Sequence, residues 1–192
     1  MSDETPLPAT IFTIGHSTRP IEAFIALLRE SAIARLVDVR AIPGSRHNPQ
    51  FGGERLSVAL AASGIAYRHM PALGGRRSSR GSAAPSPNGL WRNAAFRAYA
   101  DYALTVPFRM ALAELLELAR GQRCAIMCAE AVWWRCHRRI ITDYLLAAGE
   151  SVGHIMAPHQ VDAAQMTPGA QRTPAGALIY PAASPAQGVL AL

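Results

Sequence analysis

The sequence contains no uninterrupted apolar run of the roughly 18 residues that a membrane-spanning helix requires. Its first residues also lack a basic region followed by an apolar stretch, so we expect no signal peptide. Only three cysteines are present, an odd number that does not fit a disulfide framework. We therefore predict a cytoplasmic protein without membrane partners, in which the cysteines are thiols or ligands.

Lysine is absent, so arginine supplies the positive charge of a chain with 19 basic and 13 acidic residues and a net charge of +6. The planar guanidinium group suits bidentate contacts with phosphate or carboxylate. A GC-rich genome would produce the same preference for arginine, and net charge indicates partners only loosely. Both explanations stay open.

The 192 residues, half of them hydrophobic, are enough for one domain with a buried core. Strand patterns alternate with helix patterns, which predicts an α/β fold: a single three-layer domain with a mostly parallel sheet covered by helices on both faces. We assign residues 1–157 to this domain, including a flexible basic loop at 76–88. Residues 158–192 are predicted to be an irregular C-terminal extension that packs on the domain.

Apolar periodicity and turn residues give the order of the elements. The predicted strands are residues 10–14, 36–40, 65–70, the stretch that begins at Cys124, and residues 152–156 as the last strand. The predicted helices begin at Pro20, cover 54–63, 96–103 and 106–120, and open at 136–138. Residues 96–120 are either one helix broken near Pro107 or two helices in succession.

Polar and reactive side chains follow four of the predicted strands, and parallel strands end at the same edge of a sheet. In chain order these candidate site residues are His16, Ser17, Asp38, Arg40, Ser45, Arg46, His69, Gly74, Gly75, Cys128, Glu130, Cys136, His137 and Arg138. Four strand ends that carry such groups are a stronger signal than any one of them.

Four of these residues are candidates for catalysis. His16, Glu130 and His137 could transfer protons, and Cys128 could act as a nucleophile at the end of a strand. Each also has a structural interpretation, as a hydrogen-bonded histidine, an ion-paired carboxylate or a buried thiol. Arg135 follows Cys128 at a spacing unlike that of the phosphatase loop, without the glycine of that loop.

Anion binding has the best support, because Arg40, Arg46 and Arg138 lie beside glycine-containing turns or a helix N-terminus. The remaining ligand-binding candidates are Ser17, Asp38, Ser45, His69, Gly74 and Gly75. The loop at 76–88 could close over a ligand, track a nucleic-acid backbone, or simply be solvated.

A metal site is an alternative for Cys128, Cys136 and His137, joined by His16 or His69. Their spacing matches no zinc motif, and adjacent cysteine and histidine rarely bind one ion together. Trp133 and Trp134 could stack a base, cover the sheet edge or form a homodimer contact.

The chain resembles the bacterial family called domain of unknown function 488. The resemblance is carried by residues 13–18, 38–40, 64–65, 69–71, 73–75, 127–130 and 136–138, together with Pro43, Ser45, Phe51, Tyr67, residues 96–102 and 154–155. It implies a compact α/β domain with a shared pocket, not a particular reaction. In the family the positions between Glu130 and Cys136 usually hold acidic or small polar residues and a proline, so residues 131–135 are a departure.

These observations predict an enzyme that binds a phosphate-bearing ligand, a nucleotide or nucleic acid, at the carboxyl edge of the sheet. A non-catalytic nucleic-acid-binding or regulatory module is the alternative, as is a structural Cys/His metal site. No particular cofactor is indicated.

Overall fold

The computed structural model describes residues 10–44, 47–77 and 85–182 of the chain. Ser45, Arg46 and residues 78–84 of the predicted basic loop lie outside the described residues. The helices and strands follow in the order β1 (Ile11–Gly15), α1 (Ile21–Glu30), β2 (Arg35–Asp38), α2 (Gly53–Ala61), β3 (Ala66–His69), α3 (Ala94–Ala103), α4 (Val106–Ala119), β4 (Cys124–Cys128), α5 (Arg138–Ala147), β5 (Val152–Ala157), β6 (Gln160–Ala163), β7 (Gln171–Arg172) and β8 (Leu178–Ile179). Short 3₁₀ helices cover Pro49–Phe51, Pro71–Leu73 and Trp133–Arg135.

Six strands form one sheet in the order β3-β2-β4-β1-β5-β6. Strands β1 to β5 run parallel, and β6 pairs antiparallel with β5. The buried side chains of α1 and α2 pack on one face of the sheet, and those of α3, α4 and α5 pack on the other. The structure therefore confirms the predicted single α/β domain with a mostly parallel sheet between two layers of helices.

The helices follow from apolar stripes that end at local stop signals. In α1, Phe24, Leu27 and Leu28 are buried on one side of the helix. Residues 94–119 form two helices, because Pro107 lies in the first turn of α4, where a missing N–H costs no hydrogen bond. Within the described parts of the chain, no helix has the length and apolar character needed to cross a membrane.

Residues 152–156 belong to a strand, as predicted, but the prediction that this strand is the last one is wrong. Strand β6 extends the sheet beyond β5, and β7 and β8 form a separate two-stranded sheet. All four residues of β6 are exposed, so no alternation of buried and exposed side chains marks it as a strand. Backbone pairing with β5 alone defines it. Further on, Leu178 and Tyr180 are buried, while the division of the chain at residue 157 stays a prediction.

The topology creates a crevice between neighbouring strands. Helix α1 leaves β1 toward one face of the sheet, whereas α5 leaves the adjacent β4 toward the other face. In open α/β sheets ligands bind outside the carboxyl ends of the strands at such a switch point. Gly15 ends β1 here, and a Cβ at this position would overlap the backbone of Glu130 and Ala131. The loop after β4 therefore lies directly on the end of β1.

His154 in β5 is buried beneath this crevice. Its Nδ1 lies 2.8 Å from the Thr13 hydroxyl, and its ring stacks on Trp133 with centroids 4.3 Å apart. Its Nε2 is buried without a hydrogen-bond partner in the described structure. Burial lowers the pKa of His154 from 6.5 to about 4, and the charge of Arg138 adds to this effect while Asp162 opposes it.

Stability should therefore depend on pH through His154. Because its folded pKa lies below its unfolded pKa of 6.5, the unfolded state binds the proton first. The contribution of His154 to the free energy of unfolding is complete above pH 6.5. It falls as the pH drops toward about 4, by about 3 kcal/mol in total. Urea unfolding at a series of pH values measures it. We expect His154→Gln to reduce the loss, and the exposed His159→Gln to leave it unchanged. Parallel curves for wild type and His154→Gln would contradict the assignment.

Candidate functional site

A cavity of about 490 Å³ lies at the carboxyl edge of the sheet, beside the ends of β1, β2 and β4. The predicted site residues that line it are His16, Arg40, Gly75, Cys128, Glu130, Cys136 and His137. They come from segments that are more than one hundred residues apart in the chain. The predicted convergence of these side chains in one cleft is therefore what the structure shows, whereas their roles stay predictions.

A smaller cavity of about 310 Å³ lies next to the first. It is lined by Ser17, Thr18 and Asn48 and shares His16 and Glu130 with the larger cavity. Ser17 has a positive φ of 48°, and its N–H donates to the Ala129 carbonyl, which continues the pairing of β1 with β4. This predicted ligand-binding residue thus faces the second cavity, not the larger one.

A buried ion pair connects β2 to the site. The Asp38 carboxylate accepts hydrogen bonds from Arg40 Nε at 2.8 Å, Arg40 Nη2 at 2.5 Å and the Tyr67 hydroxyl at 2.8 Å. Arg40 Nη2 also donates to the Phe51 carbonyl at 2.8 Å. Burial disfavours the charge on Arg40, but hydrogen bonds and attraction from Asp38 outweigh burial and raise the pKa of Arg40. Most of the Arg40 charge is therefore already compensated inside the protein.

His16 is held as a neutral ring. Its Nδ1 lies 2.8 Å from the Ser17 carbonyl and its Nε2 lies 3.3 Å from Arg40 Nη1. An Nε2 that accepts from arginine requires the proton on Nδ1, so both contacts agree with one neutral tautomer. The ring also stacks on Phe51, with centroids 4.2 Å apart. Burial, assisted by Arg40, lowers the pKa of His16 despite the Ser17 contact, so proton transfer by His16 would need one of these contacts to open.

Three predicted ligand-binding residues support the site from outside the cavity. Nε2 of His69 lies 2.9 Å from the Arg40 carbonyl, which ties β3 to the turn after β2. Gly74 packs so closely on Ala41 that a Cβ would overlap its backbone. The third, Arg138, is 1% exposed and lies beneath the cavity wall.

Arg138 organises the loop that follows β4. Its Nη2 donates to the Glu130 carbonyl at 2.5 Å and to the Ala131 carbonyl at 3.4 Å, and its Nε donates to Cys136 Sγ at 3.4 Å. Within the described residues, the partners of this guanidinium are carbonyl oxygens and a sulfur atom rather than a carboxylate. The buried guanidinium is thus used to hold backbone and a sulfur atom rather than to face the cavity.

Two cysteines and one histidine meet at the floor of the cavity. The donor atoms of Cys128, Cys136 and His137 all lie within 4.8 Å of one another. His137 Nδ1 is 3.5 Å from Cys136 Sγ and 4.0 Å from Cys128 Sγ. Nε2 of His137 lies 3.2 Å from the Val39 carbonyl, which orients the ring so that Nδ1 faces the two sulfur atoms.

The two thiols have opposite pKa shifts. A hydrogen bond from Cys128, together with His137 and Arg138, lowers the pKa of Cys136 against the effect of burial. The hydrogen bond with Cys136, followed by burial, raises the pKa of Cys128. The thiol beside Arg138 is therefore the more acidic of the two, and Cys128, the candidate nucleophile, is the less acidic one.

Uncompensated charges line the rest of the cavity. Arg76 and Arg135 are exposed, and neither has a side-chain partner among the residues that the structure describes. Arg77, the next residue of the predicted basic loop, instead donates to the carbonyls of Gly74 and Ala72. Glu130 is exposed between the two cavities, also without a partner in the described ranges.

Sequence reasoning missed the aromatic and apolar wall of the cavity. Ile42, Phe96 and Tyr99 form this wall, and the exposed fraction of Ile42 is 62%. The available signal was the segment 96–102, which carries part of the family resemblance without an assigned role. Phe51 and Tyr67 also belong to the resemblance, and the structure places both against the Asp38–Arg40 pair.

Comparison with known proteins identifies the family. A model described as "Domain of unknown function DUF488" matches residues 20–145, about two thirds of the chain. The chain belongs to the DUF488 family. No curated protein gives a significant match, and no solved structure does either. The family description states no activity, so the chemistry of this DUF488 protein has to be argued from its own side chains.

Loss of the Asp38 charge should destabilise the folded protein, because it leaves Arg40 buried without a counter-ion. We expect Asp38→Asn to lower the free energy of unfolding by about 3 kcal/mol. Glu114→Gln, which disrupts the exposed pair with Arg68, should change it by less than about 1 kcal/mol. Urea denaturation followed by circular dichroism measures both. Equal effects of the two substitutions would show that the Asp38–Arg40 pair is not the support of the site.

Proposed function

We propose that this DUF488 protein is an enzyme that binds a small phosphate-bearing ligand, of the nucleotide class, in the cavity at the carboxyl edge of the sheet. The observation that carries the proposal is that one cavity is lined by an apolar wall and by arginines and a carboxylate that have no ion-pair partner among the described residues. Its volume of about 490 Å³ is within the range of small-molecule sites.

The charges support an anionic ligand, although not through the three arginines that the sequence favours. Arg40 is paired with Asp38, Arg138 is buried beneath the wall, and Arg46 lies outside the described residues. Arg76 and Arg135 have guanidinium groups without protein partners in the described structure, so they are the groups that can form bidentate contacts with a phosphate.

The remaining surface of the cavity favours a ligand that also has an apolar part. Ile42, Phe96 and Tyr99 lie on the wall together with the two arginines. A base or another flat apolar group can pack on such side chains while its phosphate faces guanidinium groups. Inorganic phosphate alone would leave the apolar side chains of this surface without a partner.

Proton transfer is assigned mainly to Glu130. Both ring nitrogens of His16 and of His137 already have contacts inside the protein. The Glu130 carboxylate is exposed in the cavity without a partner in the described chain, so it can accept a proton from a bound substrate or water.

Calorimetric titration with adenosine monophosphate tests the binding site. We expect Arg76→Gln and Arg135→Gln each to weaken binding by about tenfold or more, since a charged hydrogen bond contributes about 1.5–3 kcal/mol. Arg120→Gln removes the same charge from an exposed pair at the end of α4, so it should not change the affinity. Inorganic phosphate should bind more weakly than the nucleotide.

Several outcomes would contradict the proposal. Equal nucleotide affinity in wild type, Arg76→Gln and Arg135→Gln would remove the anion site from the cavity. A single-stranded DNA of about 12 nucleotides tests the alternative. If it binds in a salt-dependent manner, and if Arg120→Gln weakens this binding as much as Arg76→Gln and Arg135→Gln do, a general nucleic-acid-binding surface is favoured instead.

A further inference from the structure

We propose that Cys128, Cys136 and His137 bind one zinc ion through Sγ, Sγ and Nδ1, with a fourth coordination position open to the cavity. The inference deepens the proposed function and rests on it only for the statement that a ligand can reach the metal. The metal site itself is argued from the three side chains and their surroundings.

The distances between the donor atoms fit tetrahedral zinc. Zinc–sulfur bonds of about 2.3 Å and zinc–nitrogen bonds of about 2.0 Å place sulfur and nitrogen ligands about 3.5 Å apart. Nδ1 of His137 lies 3.5 Å from Cys136 Sγ and 4.0 Å from Cys128 Sγ. The three donor atoms lie within 4.8 Å of one another, so movements of about 1 Å or less would bring them to tetrahedral spacing.

The adjacency of Cys136 and His137 does not prevent joint binding. Cys136 has extended backbone angles of −125° and 149°, whereas His137 begins α5 with helical angles of −57° and −17°. This change of direction between the two residues allows their side chains to reach the same point. Cys128 comes from the end of β4, so the ligands belong to two elements joined by the loop that Arg138 holds.

The atoms around the ligands have the arrangement of a metal site's outer shell. His137 Nε2 lies 3.2 Å from the Val39 carbonyl, and metal-binding histidines almost always donate their other N–H in this way. Arg138 Nε donates to Cys136 Sγ at 3.4 Å, which stabilises negative charge on sulfur. Gly75 approaches the imidazole so closely that a Cβ there would overlap the ring.

Charge balance points the same way. Two thiolates and a neutral imidazole carry a charge of about −2, which one zinc ion neutralises. Arg138 is buried, and its contacts in the described structure are two backbone carbonyls and Cys136 Sγ, so a thiolate at Cys136 would be the negative group beside it. Buried charges are ordinarily paired or bound to metal, so the cluster satisfies this requirement with zinc in place.

The fourth position would face the ligand. Cys128, Cys136 and His137 all line the same cavity as Arg76 and Arg135. Three protein ligands with an open position are typical of catalytic rather than structural zinc sites. A phosphate oxygen or a water molecule could take this position, where zinc would polarise it.

Metal analysis of the untagged chain, produced with added zinc and purified without chelator, tests the inference. We expect about one zinc per chain in wild type and far less in Cys128→Ser and Cys136→Ser. Cys124→Ala is the matched control, because Cys124 is buried at the opposite end of β4 and should not affect the zinc content. Substoichiometric zinc in wild type, or equal loss in all three variants, would overturn the inference.

Cobalt titration of zinc-free wild type supplies a second readout that needs no ligand substitution. We expect intense visible bands of tetrahedral cobalt together with thiolate-to-cobalt charge transfer in the near ultraviolet. Weak octahedral bands without charge transfer would contradict the site. Gly75→Ala should lower cobalt affinity by about 10–100-fold by displacing His137, whereas Gly44→Ala, whose Cβ would meet only the Ile42 side chain at 3.8 Å, should not.

The two proposals can fail separately. Stoichiometric zinc bound by both thiolates, combined with no nucleotide binding, would leave the metal site and remove the nucleotide. If the nucleotide binds through Arg76 and Arg135 but the thiols bind neither zinc nor cobalt, the nucleotide site stands and the metal site is removed.

Discussion

The buried guanidinium of Arg138 determines the shape of the site. It binds the Glu130 and Ala131 carbonyls and Cys136 Sγ, so the loop after β4 is closed against the start of α5. The same loop lies on Gly15, where any side chain would collide with its backbone. Removing the guanidinium would therefore release Glu130 and Cys136 together. A charge so deeply buried needs a negative neighbour, and the sulfur of Cys136 is the neighbour that the fold places there.

Electrostatic compensation divides the arginines of this edge into two groups. Arg40 and Arg138 are buried. Arg40 donates hydrogen bonds to Asp38 and to a backbone carbonyl, and Arg138 donates to backbone carbonyls and to a sulfur atom. Arg76 and Arg135 are exposed in the cavity and keep their charge available to a ligand. The buried arginines hold the loops of the site in place, and the exposed arginines can bind an anionic ligand.

The candidate metal ligands and the anion-binding arginines belong to one cavity because of the sheet topology. Parallel strands bring their carboxyl ends to the same edge, and the switch between β1 and β4 opens the crevice. The loop from 131 to 135 passes over this crevice. Trp133 from that loop stacks on His154, whereas 44% of the Trp134 surface remains exposed. This loop thus closes one side of the edge with aromatic packing and adds Arg135 to the cavity.

Much of the fold was predictable because it depends on local periodicity. Apolar stripes and stop residues located the helices, and buried runs located the parallel strands, whose shared edge then collected the polar residues. Strand β6 was not predictable, since all four of its residues are exposed and only pairing with β5 defines it. The sequence indicated which residues lie at this edge of the sheet, but it did not indicate which contacts each side chain makes there. Whether an arginine faces a ligand or a buried carbonyl, and whether Cys128 and His137 meet Cys136, depends on contacts between distant segments. Tertiary packing alone sets those contacts, because sequence spacing does not specify the direction of a side chain.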